Sequence, residues 1–502
     1  MLPWLAAAAG IAVLTVFLFH LENVVGLDDG LRHYMMGKAM AEQGIFAVRG
    51  WTQWFFTGYF HDHPVDPWFL ADVLYVPFAS LPPVTAIALF SICSSFFLAA
   101  CFLLCLRALR VPPFIATLLV LLLLFGHSNF TYRLLLGRPF VVVSGLTLLI
   151  GLAVVRGRPV AVSLLLVVLT FLSHLFFFGL AVSLVGSLWL LWRKRRGLAL
   201  RMLCWSFAGV AAGIALHPLP LEYARYLFLI FMKIPFLDLP DRGTELYPGV
   251  FHGETVYAML GFAVLFHVML YIHKGSEQKT LPPITLLLEL WVAVFLAMFF
   301  LWIRAIDFLW PFALLLLGVL AADGAPIMRI VSSPLLRAAR LKMGAILFVL
   351  FLSALTFGSL ALSIIRSDDQ RSLEPYRRAL EQVPAGGLVL NLRWDDFPPL
   401  VAARPDLQFS FGMDPAFTLV SDSGSTALLR MVAAPHHLPD TRDSIDAGRW
   451  FSALTQRNPS DFVLLGVART EPIVRALRSK GMKDLSGDPH AWALFRVPEK
   501  KS

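Results

Sequence analysis

Eleven apolar runs punctuate the first 366 residues: 3–20, 83–106, 113–126, 139–155, 159–172, 174–192, 202–216, 254–272, 281–302, 307–321 and 344–364. A helix needs about 20 apolar residues to cross the hydrocarbon core of a bilayer, and fewer where protein shields part of it. The short runs 113–126 and 159–172 belong to the second kind. Only 15% of the chain is charged and 58% is hydrophobic, whereas soluble domains carry about 25% charge. A water-soluble fold could not hide that much apolar surface, and the same figures exclude disorder. The pattern therefore predicts a mainly α polytopic membrane protein of about eleven transmembrane helices, followed by a small soluble α/β domain.

The charges between the runs give an orientation. With the N-terminus in the cytoplasm, the inner loops hold Arg107, Arg110, Arg156, Arg158, Arg193, Lys194, Arg195, Arg196, Arg201, Lys274, Lys279, Arg329, Arg337, Arg340 and Lys342. That is 15 basic residues in about 48 positions, against 9 in about 102 on the outer side. Every inner loop obeys the positive-inside rule. Eleven spans then place the C-terminal domain outside the cytoplasm. The expected location is a bacterial inner (plasma) membrane. The first run lacks a basic n-region and a small-x-small cleavage site, which favours an uncleaved anchor over a signal peptide.

The net charge of +9 arises within residues 1–366, which carry 25 Lys/Arg and 16 Asp/Glu, while residues 367–502 carry 17 of each. Neither part reads as a nucleic-acid surface. Cys93, Cys101, Cys105 and Cys204 all lie in apolar runs, so neither a disulfide framework nor a Cys-based zinc site is supported. The division expected is 1–366 for the membrane part, with long outer loops at 21–68 and 217–253, and 367–502 for the soluble part. Twelve of the 16 acidic residues before position 366 lie in or beside those loops. Charge kept on one face of a membrane protein marks a site there.

The first outer loop opens with Asp28-Asp29-Gly-Leu-Arg32-His33-Tyr34. Asp28 is a suitable N-cap and Gly44 a suitable stop for a helix over 29–43. On that helix Asp29, Arg32 and His33 share one face and Leu31, Met35 and Ala39 another, so it reads as an amphipathic helix lying on the outer leaflet. One of the two acids can cap the helix and interact with its dipole. A second carboxylate beside a His and an Arg can also serve as a base toward an acceptor hydroxyl or amine. Further on, His61-Asp62-His63-Pro64-Val65-Asp66-Pro67-Trp68 offers two His and two Asp in six residues. The prolines suggest an extended segment in which His61 and His63 point the same way. A metal site, a hydrogen-bonding substrate wall and a plain solvated stretch are all compatible with that pattern. Trp51, Trp54, Phe55, Phe56, Tyr59 and Phe60 lie between. They suit an interfacial aromatic belt, sugar stacking or lipid-tail packing. Residues 68–81 read as a second surface helix with Asp72 as its odd charge.

This layout resembles the GT-C superfamily of integral-membrane glycosyltransferases. The resemblance covers the whole chain and is carried by Asp28 and Asp29, the helix 29–43 and the aromatic remainder of the loop. It implies a sugar donor linked to polyprenyl phosphate, an extracytoplasmic glycan, lipid or protein acceptor, and a catalytic acid at Asp28 or Asp29. Some members use a divalent metal and others do not. No second acidic motif of the metal-dependent kind is clear here, so no cofactor is implied with certainty.

A lipid-phosphate donor needs cations at the outer interface, and the planar fork of Arg suits phosphate oxygens. Arg138, in Leu136-Gly137-Arg138-Pro139-Phe140, stands at the start of a span, where the helix dipole adds positive potential. Arg133 lies five residues earlier. Arg304 and Asp307 flank the start of the tenth run at i, i+3 spacing. They read either as a neutralising pair or as an Asp that holds Arg304 toward a phosphate. His174 interrupts an apolar stretch at an outer turn, either as a hydrogen-bonded structural residue or as a substrate contact. Glu289 lies within the ninth run.

The remainder, from about 367, alternates predicted helix and strand: helix 371–382, strand 388–391, strand 461–466, helix 471–480 and strand 491–497. Trp394-Asp395-Asp396-Phe397-Pro398-Pro399 reads as a structural turn in preference to a second acidic site. The expected chemistry is an inverting sugar transfer assisted by Asp28 or Asp29. Arg138 and Arg304 would face the lipid phosphate, with Arg32, His33, His61, His63, Asp66 and His174 around the substrates. The alternatives are a lipid or solute transporter or flippase, and an outer-face lipid-phosphate hydrolase built on His61 and His63. Scarce midplane charge and the lack of an inverted repeat argue against transport.

Overall fold

Proline sets where many of the helices begin. Pro83, Pro113, Pro159, Pro220 and Pro283 each occupy the first turn of a helix. A missing N–H costs nothing there, and the fixed φ of proline is already helical. The computed structural model describes residues 29–48, 50–234, 283–323, 373–433, 447–479, 481–486 and 491–498. In its helical part, α1 is Asp29–Gln43, α2 Tyr59–Asp62, α3 Phe69–Val73, α4 Pro83–Ala108, α5 Pro113–Phe125, α6 Ser128–Leu135 and α7 Phe140–Val155. Then follow α8 Pro159–Leu172, α9 Phe176–Trp192, α10 Arg196–Leu216, α11 Pro220–Met232, α12 Pro283–Leu301 and α13 Ile306–Asp323.

Three of these, Pro83–Ala108, Arg196–Leu216 and Ile284–Leu301, are long and apolar enough to cross a membrane unaided. Pro113–Phe125, Phe140–Val155, Pro159–Leu172, Phe176–Trp192 and Ile306–Ala322 are shorter apolar helices. All eight coincide with expected runs, with α10 starting six residues earlier than its run. The runs 3–20, 254–272 and 344–364 lie outside the described residues. The basic turns close three hairpins in one way: Val111 N–H donates to Leu106 O, Arg158 N–H to Ala153 O and Arg195 N–H to Leu190 O. That six-to-one bond needs a left-handed residue before it, and Arg110, Gly157 and Lys194 supply φ of 59°, 64° and 60°.

Close helix contact in lipid depends on small residues. Gly209 and Gly213 of α10 lie against α8, where a Cβ on Gly209 would come within 2.5 Å of Ser163 O. The same device brings α1 onto the membrane helices. A Cβ on Gly30 would collide with the carbonyl of Leu136, and one on Gly37 would lie 2.6 Å from Tyr75 Cβ.

The soluble part is α/β. Its strands β1 Leu388–Asn391, β2 Gln408–Phe409, β3 Phe462–Gly466 and β4 Trp492–Arg496 form one sheet in the order β2-β1-β3-β4. β1 runs parallel to β2 and β3, and β4 runs antiparallel to β3. Alternation along the strands divides the core in two. Val389, Phe462, Leu464 and Leu494 join the core continuous with the membrane helices. Leu390, Val463, Leu465 and Phe495 pack on the other face with Trp450, Leu454 and Leu477. The three longer strands lie where the sequence predicts them. The two-residue β2 was not foreseen, being too short to show a period.

This domain changes the setting of α1. Residues 30–37 are buried on every side, so the helix does not lie on the outer leaflet. Helix α15, Phe397–Ala403, which follows α14 at Glu374–Ala379, packs across it. The aromatics of the first loop fill the seam: Phe55 stacks on Phe397 at 4.4 Å, Trp54 Nε1 donates to Pro405 O, and Phe56 N–H donates to Phe409 O beside a parallel bridge from Phe55 to Phe409. The first loop is thus an added edge of the sheet. Asp72 is also fully buried, and the expected surface helix is the short α3 followed by a 3-10 turn at Val76–Phe78.

Trp394-Asp395-Asp396 forms a 3-10 turn leading into α15, and Arg393 binds Asp395. Burial, and then the charge of Asp395, push the Asp396 carboxyl up to about 7. In the unfolded chain an Asp titrates near ~3.9. The stability contributed by the neutral form is complete below that value and is lost as pH rises to about 7. Melting temperature in detergent is therefore expected to fall between pH 4 and pH 7, and Asp396→Asn is expected to flatten that slope.

Candidate active site

α1 brings Arg32 and His33 into a buried cluster with Trp51, Trp68 and Asp72 of the first loop and Met413 of the soluble domain. The Arg32 guanidinium lies 4.4 Å from the ring centre of Trp68 and 5.5 Å from that of Trp51, and it touches the sulfur of Met413. Desolvating a guanidinium costs several kcal/mol, and each cation–π contact returns only about 1–2 kcal/mol. Negative charge must supply the rest, and Asp72 is close enough for the two charges to interact.

His33 Nδ1 meets Asp72 Oδ1 at 2.5 Å, and the imidazole stacks on Tyr75 with Trp68 at its edge. Tyr75 stacks on Phe90 and donates its hydroxyl proton to Gly137 O. Gly137 adopts φ +65° and opens the turn that presents Arg138. Gly30 presses on the neighbouring Leu136 carbonyl. The first turn of α1, which Asp29 opens, therefore abuts the Leu136–Arg138 turn. Asp28 lies outside the described residues.

On the far side, His174 sits in the turn between α8 and α9, 5.4 Å from Trp68 and 5.8 Å from Tyr226, ring centre to ring centre. The charges of Arg304 and Arg32 both act on His174 and on Tyr226. Phe417 of the soluble domain stacks on Tyr226 at 5.7 Å and packs at a tilt against Phe60 at 4.8 Å, which continues the aromatic wall. His217 Nδ1 accepts from Leu219 N–H, so its Nε2–H donates to Asp66 O at 2.9 Å. Burial holds it below the ordinary His range, in agreement with that neutral form.

Arg304 and Asp307 do not pair as their spacing suggests. Asp307 instead takes a two-pronged bond from Arg133, Nε to Oδ1 and Nη2 to Oδ2, both 2.8 Å, and Ser144 donates to its backbone carbonyl. Arg133 and Asp307 are 174 residues apart in sequence. The charges of Arg304 and Arg138 reach Asp307 as well, so Arg133, Arg138 and Arg304 gather around one carboxylate.

His61 and His63 do not point together. The segment turns into α2, leaving His61 exposed and bonded to Asp62, while His63 bonds Glu222 at 3.0 Å. Asp66 is buried, accepting from Trp51 Nε1 and Trp68 N–H. Among the described residues no three His, Cys, Asp or Glu side chains cluster as metal ligands. Glu289 is half-buried on α12. The sequence marks Asp72 only as an odd charge and Arg133 only as a neighbour of Arg138, and it gives no site role to Trp68, Tyr226 or Met413.

No protein-family model and no curated protein matches the sequence. Several solved structures match the fold. The oligosaccharyltransferase of Archaeoglobus fulgidus, in its apo form, superposes with a TM-score of 0.59 at 10% identity over 95% of this chain and 71% of that one. ArnT from Cupriavidus metallidurans, bound to undecaprenyl phosphate, gives 0.58 at 13% identity over 99% and 98%. Its apo form gives 0.55 at 13% identity over 98% of each chain. Both are GT-C glycosyltransferases, and this chain adopts the GT-C fold.

Proposed function

We propose that the chain is an integral-membrane glycosyltransferase of the inner membrane. It moves a sugar from a polyprenyl-phosphate-linked donor to an extracytoplasmic glycan, lipid or protein acceptor. One observation carries the reading: the start of α1 abuts the turn that presents Arg138, and Arg304 is near enough to act, with Arg138, on Asp307 and also on His174. The fold shared with a transferase bound to undecaprenyl phosphate supports the choice of donor. The orientation that agrees with this has a cytoplasmic N-terminus, residues 1–366 in the membrane and 367–502 outside.

In this reading the acceptor approaches beside α1 and its nucleophile attacks the anomeric carbon. Asp29 or Asp28 takes the nucleophile's proton as the new bond forms. The bond from sugar to phosphate oxygen breaks and its electron pair stays on the lipid phosphate, where Arg138 and Arg304 stabilise the growing charge. A single displacement inverts the anomeric configuration. Arg32, His33, Asp66 and His174 shape the pocket, and His63 with Glu222 closes its rim.

The test supplies purified protein in proteoliposomes with polyprenyl-phosphate sugars and candidate acceptors. The expected result is acceptor-dependent release of polyprenyl phosphate with an inverted glycoside. Release of free sugar without an acceptor would support the hydrolase reading. No turnover of any lipid-linked sugar would overturn the proposal.

A further inference from the structure

Behind Arg32 lie two buried acids whose hydrogen bonding is incomplete unless a proton joins them. Asp66 Oδ1 accepts from Trp51 Nε1 and Trp68 N–H, and Asp72 Oδ1 faces His33 Nδ1. That leaves one oxygen on each, Asp66 Oδ2 and Asp72 Oδ2. Both are buried, and neither meets an N–H or O–H donor among the described residues. The two buried carboxyls nevertheless lie close enough for each to act on the other. Two acceptors cannot bond without a proton between them, and two bare carboxylates in contact repel strongly at low dielectric. One shared proton resolves both problems and leaves one negative charge opposite Arg32.

We propose that Asp66 and Asp72 hold a single proton between their Oδ2 atoms and, through His33, form the relay that carries away the proton released at α1. This rests on the transferase reading. His33 lies four residues after Asp29, about one turn along the backbone of α1. A proton reaching His33 at Nε2 displaces the Nδ1 proton onto Asp72 Oδ1. The shared proton then moves from Asp72 Oδ2 to Asp66 Oδ2. The pair passes from one proton to two, His33 ends neutral in its other tautomer, and no further reactant is needed.

The groups facing the pair are Arg32 and His33 from α1, Tyr75 beside Asp72, and His217 and Tyr223 from the second outer loop. Burial, with Asp66 adding to it, holds Asp72 well above the usual carboxylate range, and burial also raises Asp66. This agrees with a proton retained near neutral pH. His33 and Asp72 act here as positioning and relay residues.

Asp72→Asn is the informative change. Its amide N–H can donate to Asp66 and its carbonyl can accept from His33, so packing survives while proton movement stops. Infrared spectra at pH 7, taken in an Asp396→Asn background so that Asp396 does not contribute, are expected to show a deuterium-sensitive protonated-carboxyl band that Asp72→Asn removes. Asp66→Asn is expected to remove the same band, a second route should the first variant fold poorly. Turnover should fall at least 10-fold with donor KM unchanged, and the acid limb of the pH–rate profile should move. A band that persists in both variants, or turnover and pH profile unchanged in Asp72→Asn, would overturn the relay. If the native chain transfers no sugar at all, the transferase reading fails and the infrared band alone decides the shared proton.

Discussion

Replacing Asp28 and Asp29 together with Asn should lower kcat by about 100-fold or more, the usual contribution of a positioned base. Binding of the lipid-linked donor should change little, because the groups proposed for its phosphate, Arg138 and Arg304, lie on other elements. The single variants separate the two roles. The acid that only caps α1 should cost about 1 kcal/mol of stability and little turnover when changed to Ala. The acid that takes the proton should cost turnover at unchanged stability. Steady-state transfer with donor KM and melting temperature measured on all three variants makes the assignment. Equal, near-native turnover in all three would remove the carboxylate from the mechanism.

Asp307→Ala should be the most damaging single change for the fold. It leaves Arg133 in an apolar wall without its two-pronged partner, and stranding one member of a buried pair costs about 3–5 kcal/mol. A loss of that size corresponds to roughly 5–10 °C in melting temperature. The double variant Arg133→Met/Asp307→Leu should recover most of it, because well-packed apolar residues replace buried ion pairs at little cost. Size-exclusion profiles after graded heating in detergent would report both. A single variant as stable as the native chain would mean that Arg133 finds another counter-charge. The pair joins α6 to the first turn of α13. It thereby ties together the two segments next to Arg138 and Arg304 in the chain.

The apolar helices were legible because lipid imposes a rule that acts on each segment alone, a run of about 20 apolar residues. The strands at 388–391, 462–466 and 492–496 were legible for the same reason, since a two-residue period is local. Helix 29–43 was also found, but its setting was not. Its polar and apolar faces suggested a leaflet surface, and only the approach of α15 and the Phe55–Phe409 bridge from the soluble domain turned it into a buried element.

The site divides the same way. Arg138, Arg304, His174, Arg32 and His33 stood out singly, as charges and imidazoles at the outer ends of apolar runs. Their partners did not. Spacing offered Arg304 to Asp307, and the fold chose Arg133 from 174 residues away. Proline suggested that His61 and His63 align, and a helical turn separated them. Local sequence determined which segments form apolar helices and which residues carry charge at their ends, because hydropathy and period act over one or two turns. Tertiary structure decided which charges meet, because burial makes a partner compulsory and the nearest partner in space is set by helix packing.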